Sequence, residues 1–122
     1  MIRFKLPMPP TVNKLYANVA GRGRVKTKRY LTWIQAAGWA LKEQKPAKVD
    51  GPYCLWLYCE RPDKRRRDLA NLEKAVSDLL VSHGVVGDDS ECAELHLYWS
   101  GSGRDCIVHI EPAQPIAMAR AA

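Results

Sequence analysis

The alternation of apolar and polar positions divides this chain into short strands and two amphipathic helices. Apolar residues recur at helical spacing from Thr27, placed as an N-cap, to Pro46, and again over residues 69–83, where Gly84 follows as a C-terminal glycine. The apolar, aromatic run 53–59 is typical of a buried strand, and residues 1–6, 93–99 and 105–110 also favour strands. The predicted order is strand, helix, strand, helix, strand, strand.

This order predicts an α+β fold, a single domain in which two main helices pack on one face of a mixed β-sheet. A chain of 122 residues suits one hydrophobic core, which we place in residues 1–111, with residues 112–122 as a flexible C-terminal tail. We expect residues 11–26 to form a loop and residues 101–103 to form a hairpin loop between the last two strands. Among the tryptophans, which we assign to the core or a dimer interface, Trp56 is the expected core residue, and Tyr30 on the helix is also expected there.

Positive charge is concentrated in two segments. The formal net charge is +6, from 19 Lys and Arg against 13 Asp and Glu. Residues 22–29 contain five cations and no acid, and residues 64–67 form a second basic run. Patches of this density favour an anionic partner, nucleic acid before membrane. The expected DNA contacts are Asn13, Lys14, Arg22, Arg24, Lys26, Arg65, Arg66 and Arg67.

No apolar run is long enough to span a membrane, and prolines interrupt the N-terminus before any signal-peptide core could form. We therefore expect a cytoplasmic protein without a membrane partner. The four cysteines form no C-x-x-C pair and have no histidine at zinc-ligand spacing, which indicates ordinary buried or half-buried thiols. Cys54 and Cys59 are expected on opposite faces of their strand.

Residues 63–74 combine carboxylates with arginines, and a paired acid, Asp88-Asp89, follows the second helix. Mg²⁺ binds hard oxygen ligands, so carboxylates at the ends of secondary elements can hold it. Neighbouring arginines would neutralise phosphates while the metal activates water. Asp68 and Asp89 can share a metal only if the loop after the helix folds back beside the helix start.

Each part also has a structural explanation that needs no chemistry. Asp68 is placed as a helix N-cap, and Asp88-Asp89 follows a glycine as turn residues do. The arginine run could be a solvated surface, and Lys74 could be an exposed helix lysine. Only the combination of these elements favours a nuclease site over the structural explanations.

That combination resembles the RusA family of Holliday-junction resolvases. The quoted pattern is Arg-Arg-Arg-Asp-Leu-x-Asn-Leu-x-Lys-Ala over residues 65–75, followed by Asp88-Asp89. Residues 6–13 look like the family's N-terminal Leu-Pro-x-Pro-Pro-x-x-Asn segment, and residues 21–24 match its basic loop. The similarity spans about residues 4–111.

The resemblance implies a homodimeric endonuclease that binds four-way junction DNA and makes paired symmetric nicks in recombination and repair. It implies Mg²⁺ as the cofactor, with Mn²⁺ as an alternative ion, and small resolvases of this kind are often carried by prophages. Asp68 and Asp89 match the metal-binding carboxylates, and Asp88 is the neighbouring acid assigned to the same site. Lys74 matches the catalytic-site lysine.

Position 70 departs from the family pattern Asp-x-Asp-Asn, because Ala70 stands where an aspartate is expected. The loss removes a negative charge and a coordinating oxygen, so our hypothesis is that this chain binds junctions but cleaves them poorly. Ala70 could be a deliberate inactivating substitution, which we favour, or a natural feature of a remodelled site. The alternative function is a branched-DNA-binding protein whose nuclease site has decayed naturally.

Overall fold

The protein folds around one mixed sheet, in a computed structural model that describes residues 2–61, 69–101 and 105–113. Two α-helices and the larger sheet share a single core, which confirms the predicted α+β class. The strands are β1 (Ile2–Leu6), β2 (Tyr16–Val19), β3 (Gly23–Lys26), β4 (Tyr53–Glu60), β5 (Cys92–Ser100) and β6 (Cys106–Pro112). The helices are α1 (Lys28–Gln44) and α2 (Glu73–Ser82), and short 3-10 turns occupy Val12–Lys14, Leu69–Leu72 and Asp89–Glu91.

The larger sheet has the strand order β1-β6-β4-β5, in which only the β4–β5 pair is parallel. The predicted hairpin between the last two strands is therefore wrong, because β4 lies between β5 and β6. The crossover through α2 returns the chain parallel to β4 on its outer side, and β6 then fills the gap between β4 and β1. Alternating polarity identifies a strand but does not specify its neighbours.

Residues 11–26 also differ from the predicted loop. They form a 3-10 turn and then the β2–β3 hairpin, paired from Tyr16 with Lys26 to Val19 with Gly23. Gly21 and Gly23 have φ angles of 76° and 71°, in the left-handed region that favours glycine. Most side chains of this ribbon are exposed, so it lacks the buried face that produces an alternating pattern.

One face of the sheet and one stripe of each helix form the core. β4 contributes alternate residues, including the fully buried Leu55 and Leu57, and both helices pack on this same side. Tyr30, as predicted, is buried. The helices contribute Trp33, Ala37, Leu41, Ala75, Val76, Leu79 and Leu80, and the flanking strands contribute Phe4, Leu6, Cys106, Val108 and Ile110.

Trp56 does not lie in this core, contrary to the prediction. It is half-buried on the opposite face of β4, in ring contact with His96 and His109. The run 53–59 is apolar at every position, so its sequence did not show which face the helices cover. Trp39 also lies outside the core, because it is 62% exposed on α1.

The cysteines are free thiols in the places their spacing predicts. Cys59 lies on the core face opposite Cys106 of β6, with 3.5 Å between the sulfur atoms. Cys54 points to the other face of β4, where its thiol donates to a Glu94 carboxylate oxygen at 3.5 Å. Cys54 and Cys59 are thus on opposite faces.

The free edge of β1 is capped by a side chain of α1. The Lys5 N–H donates to Gln44 Oε1 at 2.8 Å, and Gln44 Nε2 donates to the Lys5 carbonyl at 2.7 Å. This amide occupies the backbone groups that another strand would use.

The C-terminal end of β6 extends into the expected tail. This strand continues to Pro112, the first residue of that tail, and the Ala113 N–H donates to the Pro52 carbonyl. Residues 114–122 lie outside the described residues.

Thr27 caps α1, as predicted, and also holds the base of the hairpin. Its hydroxyl oxygen accepts from the Tyr30 N–H at 3.1 Å and donates to the Lys14 carbonyl at 2.6 Å. Its own N–H donates to the Leu15 carbonyl at 3.0 Å. One residue therefore links the start of α1 to the segment that enters β2.

We expect Thr27→Ala to lower the free energy of unfolding by about 1–2 kcal/mol, because it removes the N-cap and the bond to Lys14 together. Urea denaturation followed by circular dichroism would measure the change. Thr32→Ala, at an exposed position within α1, is the matched control and should stay within about 0.5 kcal/mol of the parent. Equal effects of the two substitutions would contradict this role of Thr27.

Candidate functional site

The structure brings several of the predicted site residues to one region and leaves others outside its description. Asp68, Arg65, Arg66 and Arg67 fall within residues 62–68, which are not among the described residues. Ala70 is exposed in the 3-10 turn before α2, and Lys74 is exposed in the first turn of that helix. Asp88 and Asp89 are exposed at the turn that leads into β5.

The predicted helix over residues 69–83 begins as a 3-10 turn and becomes an α-helix at Glu73. Leu72 is buried and anchors this start in the core. The 3-10 turn packs against β5 and against the Val12–Lys14 turn, while α2 packs against the Asp89–Glu91 turn. The chain thus folds back to place Asp89 beside the beginning of α2, as a shared site requires.

Lys74 is a protonated amine at the centre of this region. Its Nζ donates to Asp78 Oδ1 at 3.2 Å, one helical turn along α2. This hydrogen bond and the charge of Asp78 raise the pKa of Lys74, and the electrostatic influence of Asp89 and Tyr16 acts in the same direction. The amine therefore carries its positive charge at neutral pH, close to an exposed carboxylate and to the hairpin.

The two acids of the turn have different surroundings. Asp88 caps the 3-10 turn, since one carboxylate oxygen accepts from the Ser90 N–H at 3.2 Å and from the Ser90 hydroxyl. These bonds hold the pKa of Asp88 below its ordinary value. Asp89 is the first residue of the turn and the acid that influences Lys74. Asp88 therefore stabilises the turn, while Asp89 lies within electrostatic reach of Lys74, and the roles of both in metal binding stay predictions.

Tyr53 is a member of this region that the sequence did not single out. Its side chain is fully buried, and its hydroxyl lies close enough to the Cys92 thiol for their interaction to act on the pKa of that thiol. Burial raises the pKa of Tyr53, and Cys92, Asp89, Glu73 and Asp88 add to the effect in that order. Buried hydroxyls in proteins usually have a polar neighbour, and for Tyr53 this neighbour is the Cys92 thiol.

Glu73 is the second residue that the sequence did not identify. One of its carboxylate oxygens accepts from the buried Ser77 hydroxyl at 2.6 Å, and its charge reaches both Tyr53 and Cys92. It stands next to Lys74 in the first turn of α2, where acids are common for reasons of helix stability alone. Within the described ranges, no three His, Cys, Asp or Glu side chains are grouped closely enough to hold a metal ion.

The β2–β3 hairpin adjoins the same region. Tyr16 packs edge-on against Tyr30 with 5.8 Å between ring centroids, and the Arg24 guanidinium carbon lies 4.6 Å from the Tyr16 ring centroid. Tyr16 also influences Lys74, which places the base of the hairpin near the start of α2. The predicted contacts Asn13, Lys14, Arg22, Arg24 and Lys26 are all exposed.

Comparison with known proteins identifies the family. The family model described as endodeoxyribonuclease RusA matches residues 7–111. The chain belongs to the RusA family. The match includes the hairpin, the start of α2 and the acidic turn, so the resemblance inferred from the sequence motifs is confirmed.

Curated relatives of this RusA-family chain carry the name crossover junction endodeoxyribonuclease RusA. The protein of Shigella sonnei is 35% identical over 98 residues, the one of Escherichia coli strain K12 is 34% identical, and the one of Enterobacteria phage 82 is 33% identical. Each alignment covers 73% of this chain and 74% of the relative. Among the described residues, no helix is long and apolar enough to cross a membrane.

Proposed function

We propose that this chain recognises four-way DNA junctions as a RusA-type endonuclease in recombination and repair. The observation that carries the proposal is the meeting of the exposed Asp89, the protonated Lys74 and the basic hairpin, in a chain similar over most of its length to crossover junction endodeoxyribonucleases. A carboxylate and a cation beside a basic arm suit phosphodiester hydrolysis. Contacts of the arm with phosphates supply affinity and orientation.

We propose a divalent cation, Mg²⁺ or alternatively Mn²⁺, as the cofactor, because carboxylates are the hard oxygen ligands that these ions prefer. Asp68 and Asp89 would hold it, and Asp88 would support the turn that carries Asp89. The charges of Asp89, Glu73 and Asp88 all act on the pKa of the buried Tyr53 hydroxyl, which supports a shared acidic region. When bound, such an ion activates water and stabilises the charge that develops on the phosphate.

The protein's own contribution is positioning and charge. Lys74 stays protonated through its bond to Asp78, so it can donate to a phosphate or leaving-group oxygen near Asp89. Arg24, stacked on Tyr16, presents a guanidinium already held in place, and Lys26 extends the positive strip along the hairpin. The same hairpin would therefore bind the DNA strand next to the reacting phosphate.

Ala70 weakens this site in our proposal. Its methyl group is exposed at the start of α2, where an aspartate would add a carboxylate on the approach to Lys74 and Asp89. Without that charge the cation is bound less tightly. We propose that the chain retains junction binding, because the hairpin is intact, and loses most of its cleavage.

A homodimer is the assembly that this substrate requires. A four-way junction has approximate two-fold symmetry, so paired nicks need two active sites related by a two-fold axis. The described part of one protomer contains one such region. We propose that the functional unit is a C2 dimer.

The direct test compares binding to a four-way junction and to a linear duplex of the same sequence, in Ca²⁺ and at fixed ionic strength. We expect the junction to bind at least about tenfold more tightly, which corresponds to ~1.4 kcal/mol. A single-stranded oligonucleotide and an RNA hairpin serve as further probes. Equal affinity for junction and duplex would contradict junction recognition, and preference for RNA would favour a different nucleic-acid-binding role.

We expect Arg24→Ala to weaken junction binding and to reduce the slope of log affinity against log salt concentration by about one unit. The physical reason is the loss of one phosphate contact and its released counterion. Fluorescence anisotropy between about 50 and 200 mM salt would measure the slope. Lys48→Ala removes one positive charge at an exposed position paired only with Asp50 in the described residues, and it should leave the slope unchanged. Identical slopes for both variants and the parent would show that the hairpin does not contact phosphates.

The second candidate is a branched-DNA-binding protein whose nuclease site has decayed naturally. Ala70 favours this second candidate, because the loss of one metal-binding carboxylate would be a first step in the decay of the nuclease site. The two candidates share the binding surface and differ in whether a single carboxylate restores cleavage.

A further inference from the structure

The outer side of α1 carries an exposed stripe. Its residues follow one another at intervals of three or four positions and so share one side of the helix: Lys28, Leu31, Gln35, Gly38 and Lys42. Leu31 and the neighbouring Trp39 are the two most exposed large apolar side chains among the described residues. Single exposed apolar side chains are ordinary in soluble proteins, whereas two on the same side of one helix favour a contact surface.

Two shallow cavities adjoin each other beside this stripe, in the seam between α1 and the end of α2. One has a volume of about 250 Å³, and its lining includes Ile34 and Trp39. The other has a volume of about 220 Å³ and extends to Lys45. Both are bounded by Lys42 and His83, so together they form one groove, which we call the α1 groove.

The α1 groove is preformed because α1 carries a glycine where the end of α2 approaches it. A Cβ atom at position 38 would lie 3.2 Å from His83 Nε2, closer than most such contacts. Gly38 therefore lets the imidazole of His83, the C-cap residue of α2, lie directly against α1. That ring is the wall that the two cavities share. A wall already held by packing does not have to be ordered when a ligand binds.

Positive charge surrounds an apolar floor in the α1 groove. Lys42 and Lys45 line it, and Lys42 Nζ lies 5.6 Å from the centroid of the Trp39 ring. Among the described residues, no acid lines either cavity. Glu43 is the one acidic residue of α1, and helical geometry places it on the side of Trp39 away from Lys42. The charge of the groove is therefore complementary to a negatively charged partner.

We propose that the α1 groove binds an acidic segment of another protein, one that carries large apolar side chains. Carboxylates of the segment would accept hydrogen bonds from Lys42 and Lys45, and an apolar side chain would enter the cavity beside Trp39. Each cavity is smaller than the ~300–1,000 Å³ typical of small-molecule sites, so a side chain suits it better than a free metabolite. Binding of a peptide segment in an apolar groove is a common mode of protein recognition.

Duplex DNA fits this surface less well, although it is also negatively charged. Phosphates would contact the lysines but would leave Trp39 and Leu31 exposed to water. Trp39 also lies about 18 Å along the axis of α1 from Thr27, which anchors the hairpin. Lys74 is at the start of α2, whereas His83 is at its end. The inference therefore goes beyond the proposed function, because one chain can hold a junction and a protein partner at separate places.

Titration of the full chain with a defined peptide tests the proposal. The probe is a short fluorescein-labelled peptide in which glutamates alternate with Leu and Phe, and binding is measured by fluorescence anisotropy. We expect saturable micromolar binding that Trp39→Ala or Lys42→Glu weakens at least about tenfold, because each removes one half of the contact. Lys48→Glu makes the same charge change outside the groove and should alter the affinity by less than about twofold.

Two further measurements locate the contact and its chemistry. Peptides with Ala in place of Leu and Phe, or with Gln in place of glutamate, should each bind at least about tenfold more weakly. In two-dimensional NMR spectra, the indole N–H signal of Trp39, identified with the Trp39→Phe variant, should move during the titration. The signal of Trp33, which is buried and donates to the Pro7 carbonyl at 2.9 Å, should not.

Each outcome supports or overturns the inference. Absence of saturable binding, or binding that neither Trp39→Ala nor Lys42→Glu weakens, overturns it, and so does equal binding of the Ala-substituted peptide. If a linear DNA duplex displaces the peptide, or Trp39→Ala weakens junction binding as much as peptide binding, the surface belongs to nucleic acid and the inference is overturned. Junction binding by the parent, measured on the same samples, separates these failures from failure of the proposed function. Circular dichroism confirms that every variant is folded.

Discussion

The Ala70→Asp protein is expected to cleave four-way junctions at least about a hundredfold faster than the parent chain, a difference of ~2.7 kcal/mol in activation free energy. The new carboxylate would add one ligand and one negative charge to the cation site that we propose beside Asp89 and Lys74. Because position 70 is exposed and lies next to the start of α2, an acid there should not disturb folding. Single-turnover cleavage of a labelled junction in Mg²⁺ would measure the rate.

Two matched variants define what the restored carboxylate does. Ala70→Asn has nearly the same shape without the charge and should remain close to the parent rate. Asp89→Asn introduced into the Ala70→Asp chain should return the rate to the parent level while junction binding persists. If Ala70→Asp folds and binds junctions normally yet stays inert, the naturally decayed branched-DNA-binding protein becomes the better description.

Leu80→Ala is expected to lower the free energy of unfolding by about 2–5 kcal/mol, a large share of the total stability of a domain of this size. Leu80 is fully buried on α2, so the substitution removes apolar contacts and leaves a cavity. Leu31→Ala is the control, since Leu31 is also helical but 53% exposed, and its effect should stay within about 0.5 kcal/mol. Urea midpoints at one protein concentration, with unchanged slopes, would measure both. A loss below about 1 kcal/mol for Leu80→Ala would contradict the described core.

The sequence predicts the helices well because their signals are local. Thr27 caps α1, Gly84 with a φ of 71° follows the end of α2, and each helix shows one apolar stripe. The β2–β3 hairpin was missed because its side chains are mostly exposed. Strand order was missed for another reason, since the partner of β5 depends on the crossover through α2 and not on any pattern within β5.

The sequence motif identified residues that the structure brings together, and their roles in catalysis stay predictions. The surroundings of these residues could not be predicted from the sequence. Lys74 and Asp89 are near each other, as the interpretation of the motif requires, and the bonds from Ser90 show that Asp88 serves the turn. Tyr53 and Glu73 could not be found, because a tyrosine in an apolar strand and an acid in a first helical turn are ordinary. Their relation to Asp89 arises only when β4, α2 and the turn before β5 meet.

The three bonds of Thr27 have a consequence for how the protein meets DNA. They link both ends of the β2–β3 hairpin to the N-cap residue of α1. The base of the hairpin is therefore anchored to the folded core. An arm that is ordered in the free protein loses less conformational entropy when a DNA strand is laid along it. The packing of α1 would then resist displacement of the hairpin, so we expect a bound junction to change its shape more than the hairpin does.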